Sequence, residues 1–261
     1  MYQGLNAQQL DQLLPYGMVA TRQWLLAQGV SPHALDNALK SRRVQKQGVG
    51  VYSRAESPSG WQAVACSLQR MSMSPVLVGG VSALQLLGFG HYLSSGVIRK
   101  VDLYGNGKMP GWLSRVPVKA SFLWHRNQSV WPDYIVESQA YQKSHTWRDD
   151  LPSIQLSCAE KAYLELLAEL PDGVSFDYAN ELMQGMNSLS PRKLDELLKA
   201  CKSVKVKRLF FWMADRHNYP WFRKLNKDEY DLGRGKRLIA RSGKLDKSYL
   251  ITVPEHLYGS E

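Results

Sequence analysis

Apolar and polar positions over residues 21–54 predict two short helices followed by a β-hairpin. Gly29 follows the apolar run 24–26 and can end the first helix in a left-handed conformation. Ser31 can then cap the second helix, and Pro32 suits its first position because no backbone N–H is needed there. A connection of about three residues between two short helices is typical of a helix-turn-helix.

The second of these helices, predicted over residues 32 to about 43, has one apolar and one polar face. The polar face offers side chains that can hydrogen-bond base edges or phosphates, as a DNA recognition helix must. An ordinary amphipathic helix with a solvated polar face shows the same pattern. The apolar stripe is Ala34, Leu35, Ala38 and Leu39, and the polar face is His33, Asp36, Asn37, Lys40, Ser41 and Arg43.

Residues 44–52 alternate between apolar and polar, which predicts a hairpin with Lys46, Gln47 and Gly48 near its tip. A basic wing beside a polar helix favours DNA as the ligand. Asp36 argues weakly against DNA, because its carboxylate must avoid phosphates or accept from a cytosine amine. The residues expected to contact DNA are Thr21, Arg22, Ser31, His33, Asn37, Lys40, Ser41, Arg43 and Lys46.

Leucines at helical spacing predict an earlier helix over residues 5–14, with Asn6 as its cap. Thr21 is expected to cap the first helix of the helix-turn-helix, and Arg22 lies in its first turn, where a backbone phosphate could meet it. Residues 55–60, AESPSG, are a short linker.

The rest of the chain predicts a mixture of helices and strands. In residues 157–170, Ser157 and Glu160 are expected to form a capping box. Helices are predicted over residues 61–71, 81–87, 157–170, 190–201 and around 206–213, and strands over 75–80, 97–104, 117–124, 134–137 and 249–253. The fold class is therefore α+β: a winged helix-turn-helix in residues 1–56 and a larger mixed α/β domain in residues 57–261, with a possible sub-boundary near 150.

The formal net charge of +10 is unevenly distributed along the 261 residues. Residues 192–247 contain 17 Lys and Arg against 7 Asp and Glu, whereas the remainder is neutral. Such a segment suggests a second surface that binds polyanions, although a lysine-rich solvated surface explains it equally well. The second basic face would comprise Lys205, Lys207, Arg208, Arg234, Lys236 and Arg237.

The three cysteines are far apart and lack metal-ligand spacing, so we expect them to be reduced core residues in a cytosol. No apolar run approaches the roughly 20 residues that span a bilayer, and residues 1–10 do not form a signal peptide. A cytoplasmic protein without a membrane partner is the expectation.

Five segments, taken in order, carry a family resemblance. They are GVGVYSR at residues 48–54, VGGVSALQLLGF at 78–89, SCAEKAYLELL at 157–167, KVKRLFFWMA at 205–214, and GRGKR followed by SYLITVP within 233–254. With these segments the chain resembles the AbiEi antitoxin family of bacterial abortive-infection toxin–antitoxin systems.

The resemblance implies a type IV antitoxin that binds inverted repeats in promoter DNA and represses its own operon. The implied functional partner is a toxin with a nucleotidyltransferase fold, with which no stable complex is needed. The resemblance places DNA reading in residues 31–43 and 44–52, and the antitoxin role in residues 57–261. Inverted repeats suit two copies on DNA, but without a coiled-coil seam we expect a monomer in solution.

No sequence motif for catalysis is found. GRGKR at residues 233–237 lacks the spacing and the Ser or Thr of a phosphate-binding loop. Asp133 and Glu137 hint at a nuclease metal site, but Gln139 stands where a lysine is needed, and Asp102 has no obvious partner. The six histidines are dispersed. We therefore expect no catalytic residue, no metal and no cofactor.

Two alternatives stay open from the residues alone. A metal-dependent nuclease with a winged-helix targeting domain would explain a basic chain equally well. A plain transcription regulator, whose carboxy-terminal domain binds a ligand or a partner, is the other. A downstream nucleotidyltransferase-like gene would favour the antitoxin over the plain regulator.

Overall fold

The computed structural model describes residues 7–57, 60–89 and 99–258. It is mixed α+β, as predicted, and divides into two compact units. The first unit comprises Met1–Val78, Ile98–His125 and Ser144–Gln155, and the second comprises Gly79–Val97, Arg126–Lys143 and Leu156–Glu261. The domain boundary predicted between residues 56 and 57 and the sub-boundary predicted near residue 150 would separate parts of the chain that fold independently. Both stay predictions.

The first unit begins with the element order of a winged helix. Its elements are α1 (Ala7–Leu13), β1 (Val19–Thr21), α2 (Arg22–Ala27), α3 (Pro32–Lys40), β2 (Val44–Gly48) and β3 (Val51–Arg54). The strands pair antiparallel in the order β1-β3-β2, so that Ala20 and Lys46 lie on either side of Tyr52. Strand β1 is absent from the sequence prediction, and the predicted cap Asn6 lies outside the described residues.

The predicted helix boundaries around the turn between α2 and α3 are confirmed. The Thr21 hydroxyl accepts a hydrogen bond from the Trp24 N–H at 3.2 Å, and the Ser31 hydroxyl accepts one from the Ala34 N–H at 3.1 Å. Gly29 adopts a φ of +91°, which only glycine takes without strain. These three positions fix the angle at which α3 leaves α2.

Helix α3 ends about three residues earlier than predicted. Arg42 has a φ of +55°, a left-handed conformation that stops the helix. The Arg43 N–H then donates to the Ala38 carbonyl, and the Arg42 N–H donates to that of Leu39. Ser41 and Arg43 therefore lie on the exit from the helix rather than within it.

The core of the winged helix lies under the apolar face of α3. Side chains from all three helices and from the sheet meet there, which fixes α3 with its polar face outward. The buried members are Leu10, Leu14, Ala20, Leu25, Val30, Leu35, Ala38, Val44 and Tyr52.

The first unit continues into α4 and a larger sheet. Its further elements are α4 (Trp61–Met71), β4 (Leu77–Val78), β5 (Lys100–Gly105), β6 (Ser121–Arg126), β7 (Gln142–His145) and β8 (Ile154–Ser157). The five strands are ordered β6-β5-β4-β8-β7, and β4 pairs antiparallel with β5. The division between the two units falls directly after β4 and within β6, β7 and β8.

The second unit is built around one buried helix. Its elements are α5 (Gly80–Leu86), α6 (Asp133–Glu137), α7 (Ala159–Ala168), α8 (Phe176–Gln184), α9 (Pro191–Ala200), α10 (Val204–His217), β9 (Lys244–Asp246) and β10 (Ile251–Val253). Helices α5, α9 and α10 all pack against α7. Helix α8 and strand β8 are absent from the sequence prediction.

Two local predictions in this unit are wrong. Ser157 and Glu160 form no capping box: α7 begins after Cys158, Ser157 belongs to β8, and Glu160 accepts the Ser190 N–H. Residues 134–137 lie in α6 and not in a strand. Pro132 precedes this helix, and its carbonyl accepts the first helical hydrogen bond, from the Ile135 N–H.

A buried polar network centres on Glu165 of α7. Glu165 and Lys161 are both fully buried, and the Lys161 Nζ lies 2.9 Å from Glu165 Oε1. The same carboxylate accepts from the Trp131 indole N–H, the Ser157 hydroxyl and the Gly80 N–H. A buried charge is costly unless it is paired and hydrogen-bonded, so the Glu165 carboxylate needs these donors. Because some of these donors come from α5, α7 and the end of β8, the carboxylate connects these three elements.

All three cysteines are buried and free, as predicted. Burial raises the pKa of the Cys158 thiol to about 12, with the charge of Glu160 acting in the same direction. Across the described residues, every helix is too short or too polar to cross a bilayer.

We expect Lys161→Met to lower the free energy of unfolding by about 3–5 kcal/mol, because it leaves the Glu165 charge buried without its counter-ion. Urea unfolding followed by tryptophan fluorescence measures this. Lys199→Met is the matched control, since Lys199 forms a similarly spaced but solvent-exposed pair with Asp195 and should change stability little. Equal, small effects of the two substitutions would contradict the proposed importance of the buried pair.

Candidate nucleic-acid interface

The polar face of α3 is open to solvent. His33, Asp36, Asn37 and Lys40 are all exposed. The His33 ring nitrogen Nδ1 lies 3.2 Å from the Asn37 side-chain amide, one helical turn further along. The structure thus brings together, on one accessible helix surface, four of the side chains that the sequence assigned to this face.

Three predicted contact residues already use their hydroxyl groups at helix ends. Thr21 and Ser31 accept the capping hydrogen bonds, whereas the Ser41 hydroxyl donates to the Ala38 carbonyl at 3.3 Å. A hydroxyl that accepts a hydrogen bond still has its own proton to donate. Thr21 and Ser31 can therefore cap their helices and donate to a phosphate at the same time.

Two of the basic residues lie beside carboxylates. Arg22 Nη1 is 3.7 Å from Asp36 Oδ1, and both side chains are about half exposed. Asp11 of α1 receives hydrogen bonds from Arg43 at 3.2 Å and lies 3.6 Å from Arg54. Arg22 thus partly offsets the Asp36 charge, the one feature of α3 that argues against DNA. Arg43 would have to share its guanidinium between Asp11 and a phosphate.

The wing differs from the prediction at its tip. The turn is Val49-Gly50, with a φ of +73° at Gly50, and not Lys46-Gln47-Gly48. A register shift between Lys46 and Gly48 moves the turn further along the chain. Lys46 is exposed on β2, and Val49 is exposed at the tip. The wing accordingly presents one cation on its strand and an apolar tip.

The second basic face is only partly solvent-facing. The prediction that Lys207 and Arg208 belong to a surface that binds polyanions is wrong, because these residues are only 5% and 1% exposed. All nine residues of α10 from 206 to 214 are buried, and the six from 209 to 214 are all apolar or aromatic. Six consecutive apolar residues cover every side of a helix and indicate that it is buried, so this run could have revealed the burial of the adjacent Lys207 and Arg208.

Arg208 holds a loop rather than an external ligand. Its guanidinium donates to the carbonyls of Leu232 at 2.6 Å, Gly235 at 2.7 Å and Leu250 at 3.2 Å. Burial, and secondarily the charge of Arg237, lower the pKa of this guanidinium. Arg208 therefore fastens residues 232–235 to the start of β10.

Lys205 also serves the fold. Its ammonium donates to the Ala168 carbonyl at 2.7 Å and to the Leu170 carbonyl, at the carboxyl end of α7. Burial lowers the pKa of Lys205, and the carboxylates of Glu169 and Asp172 oppose this shift. A cation at this end of a helix is favourable because the last carbonyls carry partial negative charge.

The loop fastened by Arg208 carries the remaining members of the second basic face. Arg234, Lys236 and Arg237 are exposed along it. Gly233 and Gly235 alternate with Arg234 and Lys236 along the loop. Their φ values of +66° and +79° bend the backbone there. The structure thus divides the predicted set into structural residues on α10 and three exposed cations on the loop.

The residues considered for catalysis do not assemble into a site. Asp133 and Glu137 lie exposed on the single short helix α6, and Asp102 pairs with the His125 ring nitrogen at 2.9 Å in the first unit. Among the described residues, no group of three His, Cys, Asp or Glu side chains could hold a metal ion.

Two family models together match most of the chain. Residues 5–95 match "Transcriptional regulator, AbiEi antitoxin N-terminal domain". Residues 98–254 match "Transcriptional regulator, AbiEi antitoxin, Type IV TA system".

Among the solved structures that match the chain, one that shares its fold has low sequence identity. It is the crystal structure of the RV2827C protein from Mycobacterium tuberculosis, with a TM-score of 0.52 and 14% sequence identity. The match covers 90% of this chain and 85% of that one. No curated protein matches the chain.

We expect Arg208→Met to release the loop at residues 232–237, because three carbonyls lose a charged donor. Limited trypsin digestion should then cut after Arg234, Lys236 or Arg237 about tenfold faster or more, the effect of losing one charged hydrogen bond. Arg223→Met, which removes an exposed arginine from the same unit, is the control. Unchanged cleavage in the Arg208 variant would contradict the fastening role.

Proposed function

This chain belongs to the AbiEi family, the antitoxin transcriptional regulators of type IV toxin–antitoxin systems, and we propose that it represses its own operon by binding inverted repeats in promoter DNA. The family consists of transcriptional regulators and not of enzymes. The supporting observation is the solvent-open polar face of α3, held outward by the core beneath it and flanked by the wing.

The arrangement of charges around α3 supports insertion into the major groove. His33, in the first turn of α3, and Asn37, one turn later, offer hydrogen-bonding groups for base edges. Lys40, at the last turn, and Lys46, on the wing, are exposed cations for the backbone on either side. Base contacts would then supply sequence preference, and the cations would supply affinity and register.

We propose that one copy binds each half of an inverted repeat and that the free protein is monomeric. Residues 1–56 would read DNA, and residues 57–261 would counter a nucleotidyltransferase-like toxin in the cytoplasm without a stable complex. The exposed cations at Arg234, Lys236 and Arg237 are the surface of the second unit that we assign to this second role or to additional DNA contacts.

We expect Lys40→Ala combined with Arg43→Ala to weaken binding to the DNA immediately upstream of this gene by at least about tenfold, since two phosphate contacts are lost. The dependence of log affinity on log salt should also fall by about two units. Gel-shift titrations of the full chain at several salt concentrations measure both quantities.

Arg223→Ala with Lys224→Ala removes the same charge from an exposed segment of the second unit and is the matched control. Its affinity and salt dependence should stay near those of the unsubstituted chain. An equal loss of affinity in the control would mean that the effect comes from net charge alone. Unchanged binding by the Lys40 and Arg43 variant would exclude α3 as the helix that contacts DNA.

Reversing the charges of Arg234, Lys236 and Arg237 to Glu should separate the two roles of the second basic face. If the loop binds nucleic acid, affinity for long non-operator DNA should fall because three cations become anions. If it serves antitoxicity, DNA binding should persist while cells expressing the neighbouring toxin lose protection. The same reversal at Arg223, Lys224 and Lys227 is the control, and a variant normal in both assays would remove the loop from either role.

A further inference from the structure

The segment at residues 106–119, between β5 and β6, contains Lys108, Arg115 and Lys119 and no acidic residue. All three cations are exposed. We propose that this segment is a second wing, which binds phosphates of the same duplex that α3 reads, with Arg115 as its principal contact. The proposal rests on the proposed DNA-binding function and extends the interface beyond residues 1–56.

Close packing at Gly48 places Arg115 beside the first wing. A Cβ atom on Gly48 would lie only 2.8 Å from the Arg115 carbonyl oxygen and 3.4 Å from the Arg115 Cβ. The turn Leu113–Arg115 therefore lies directly against β2, within the same unit. A glycine within a strand often marks a bulge or the close approach of another backbone, and Gly48 shows both, since the register shift lies beside it and the Arg115 carbonyl lies against it.

A groove places the same segment beside α2. This groove has a volume of about 600 Å³, and its lining includes Thr21, Gln23 and Trp24 together with Pro110 and Trp112. Thr21 precedes the helix-turn-helix and pairs with Val51 of β3. The segment thus borders the winged helix at two independent places, next to elements that a bound duplex would approach.

Arg115 has a fixed backbone and an available charge. Its neighbours in the turn, Leu113 and Val116, are buried, which anchors the backbone on both sides of it. No carboxylate in the described part of the chain lies within ion-pair distance of Arg115, whereas Arg22 and Arg43 lie beside Asp36 and Asp11. An exposed guanidinium of this kind loses little on transfer to a phosphate and can bind it through two N–H groups.

The test compares Arg115→Gln with Arg192→Gln in the full chain, using a labelled duplex from immediately upstream of this gene. Arg192 is exposed on α9 of the second unit, so its substitution removes the same charge elsewhere. Arg115→Gln should lower affinity about three- to tenfold and the salt slope by about one unit, equally on operator and scrambled duplexes. Hydroxyl-radical footprints should lose backbone protection at the flank of the site while protection at its centre persists.

Gly48→Ala adds an independent readout, because the new methyl group must push the Leu113–Arg115 turn away from β2. In that background Arg115→Gln should have a smaller effect on the salt slope than in the unsubstituted chain. A thermal melt of each variant shows whether it folds.

The outcomes separate the two proposals. If Lys40→Ala with Arg43→Ala weakens binding but Arg115→Gln behaves like Arg192→Gln, the second wing is overturned and the DNA-reading role of α3 stands. If the unsubstituted chain does not bind the duplex, both proposals fall. The second wing is established if Arg115→Gln, but not Arg192→Gln, loses hydroxyl-radical protection specifically at the flank of the site.

Discussion

A charge removed from water must be matched by a partner of opposite polarity, and this constraint divides the basic residues of the chain into two groups. Lys161 pairs with Glu165, Arg208 donates to three carbonyls, and Lys205 donates to a carbonyl at the end of α7. These cations build the second unit. The cations left exposed, such as Lys40 and Arg234, contribute little to folding and are available to a polyanion. A net charge of +10 therefore overstates the positive surface that a ligand meets.

The winged helix could be predicted because its signals are local. Ser31 and Pro32 mark a helix start whatever surrounds them, and Gly29 marks the preceding stop. The end of α3 depends instead on Arg42, an L-residue in a left-handed conformation that propensity disfavours. The turn of the wing depends on a register shift across the sheet, which pairing sets and a single strand does not reveal. Tertiary structure therefore determined both features where the sequence prediction was inaccurate.

Buried polar residues were the main source of error in the second unit. Ser157 and Glu160 have the spacing of a capping box, but Ser157 donates to Glu165 and Glu160 reaches Ser190. A polar side chain with several possible partners satisfies whichever lie nearest in the folded chain. Local spacing could not distinguish these partners, because Ser190 is 30 residues away from Glu160 in the sequence.

In the basic segment from residue 192 onward, the sequence correctly grouped residues that lie near each other but assigned some of them the wrong role. Sequence reasoning placed Arg208 and Arg237 in one set, and the structure does bring Arg208 to the carbonyls of Gly235 and Leu250 beside Arg237. The two residues share a neighbourhood because one fastens the loop that exposes the other. Two adjacent guanidinium groups repel each other, so their proximity is tolerable only because Arg208 is surrounded by carbonyl acceptors and Arg237 faces water. The loop conformation and the exposure of its cations are thus consequences of the same buried arginine.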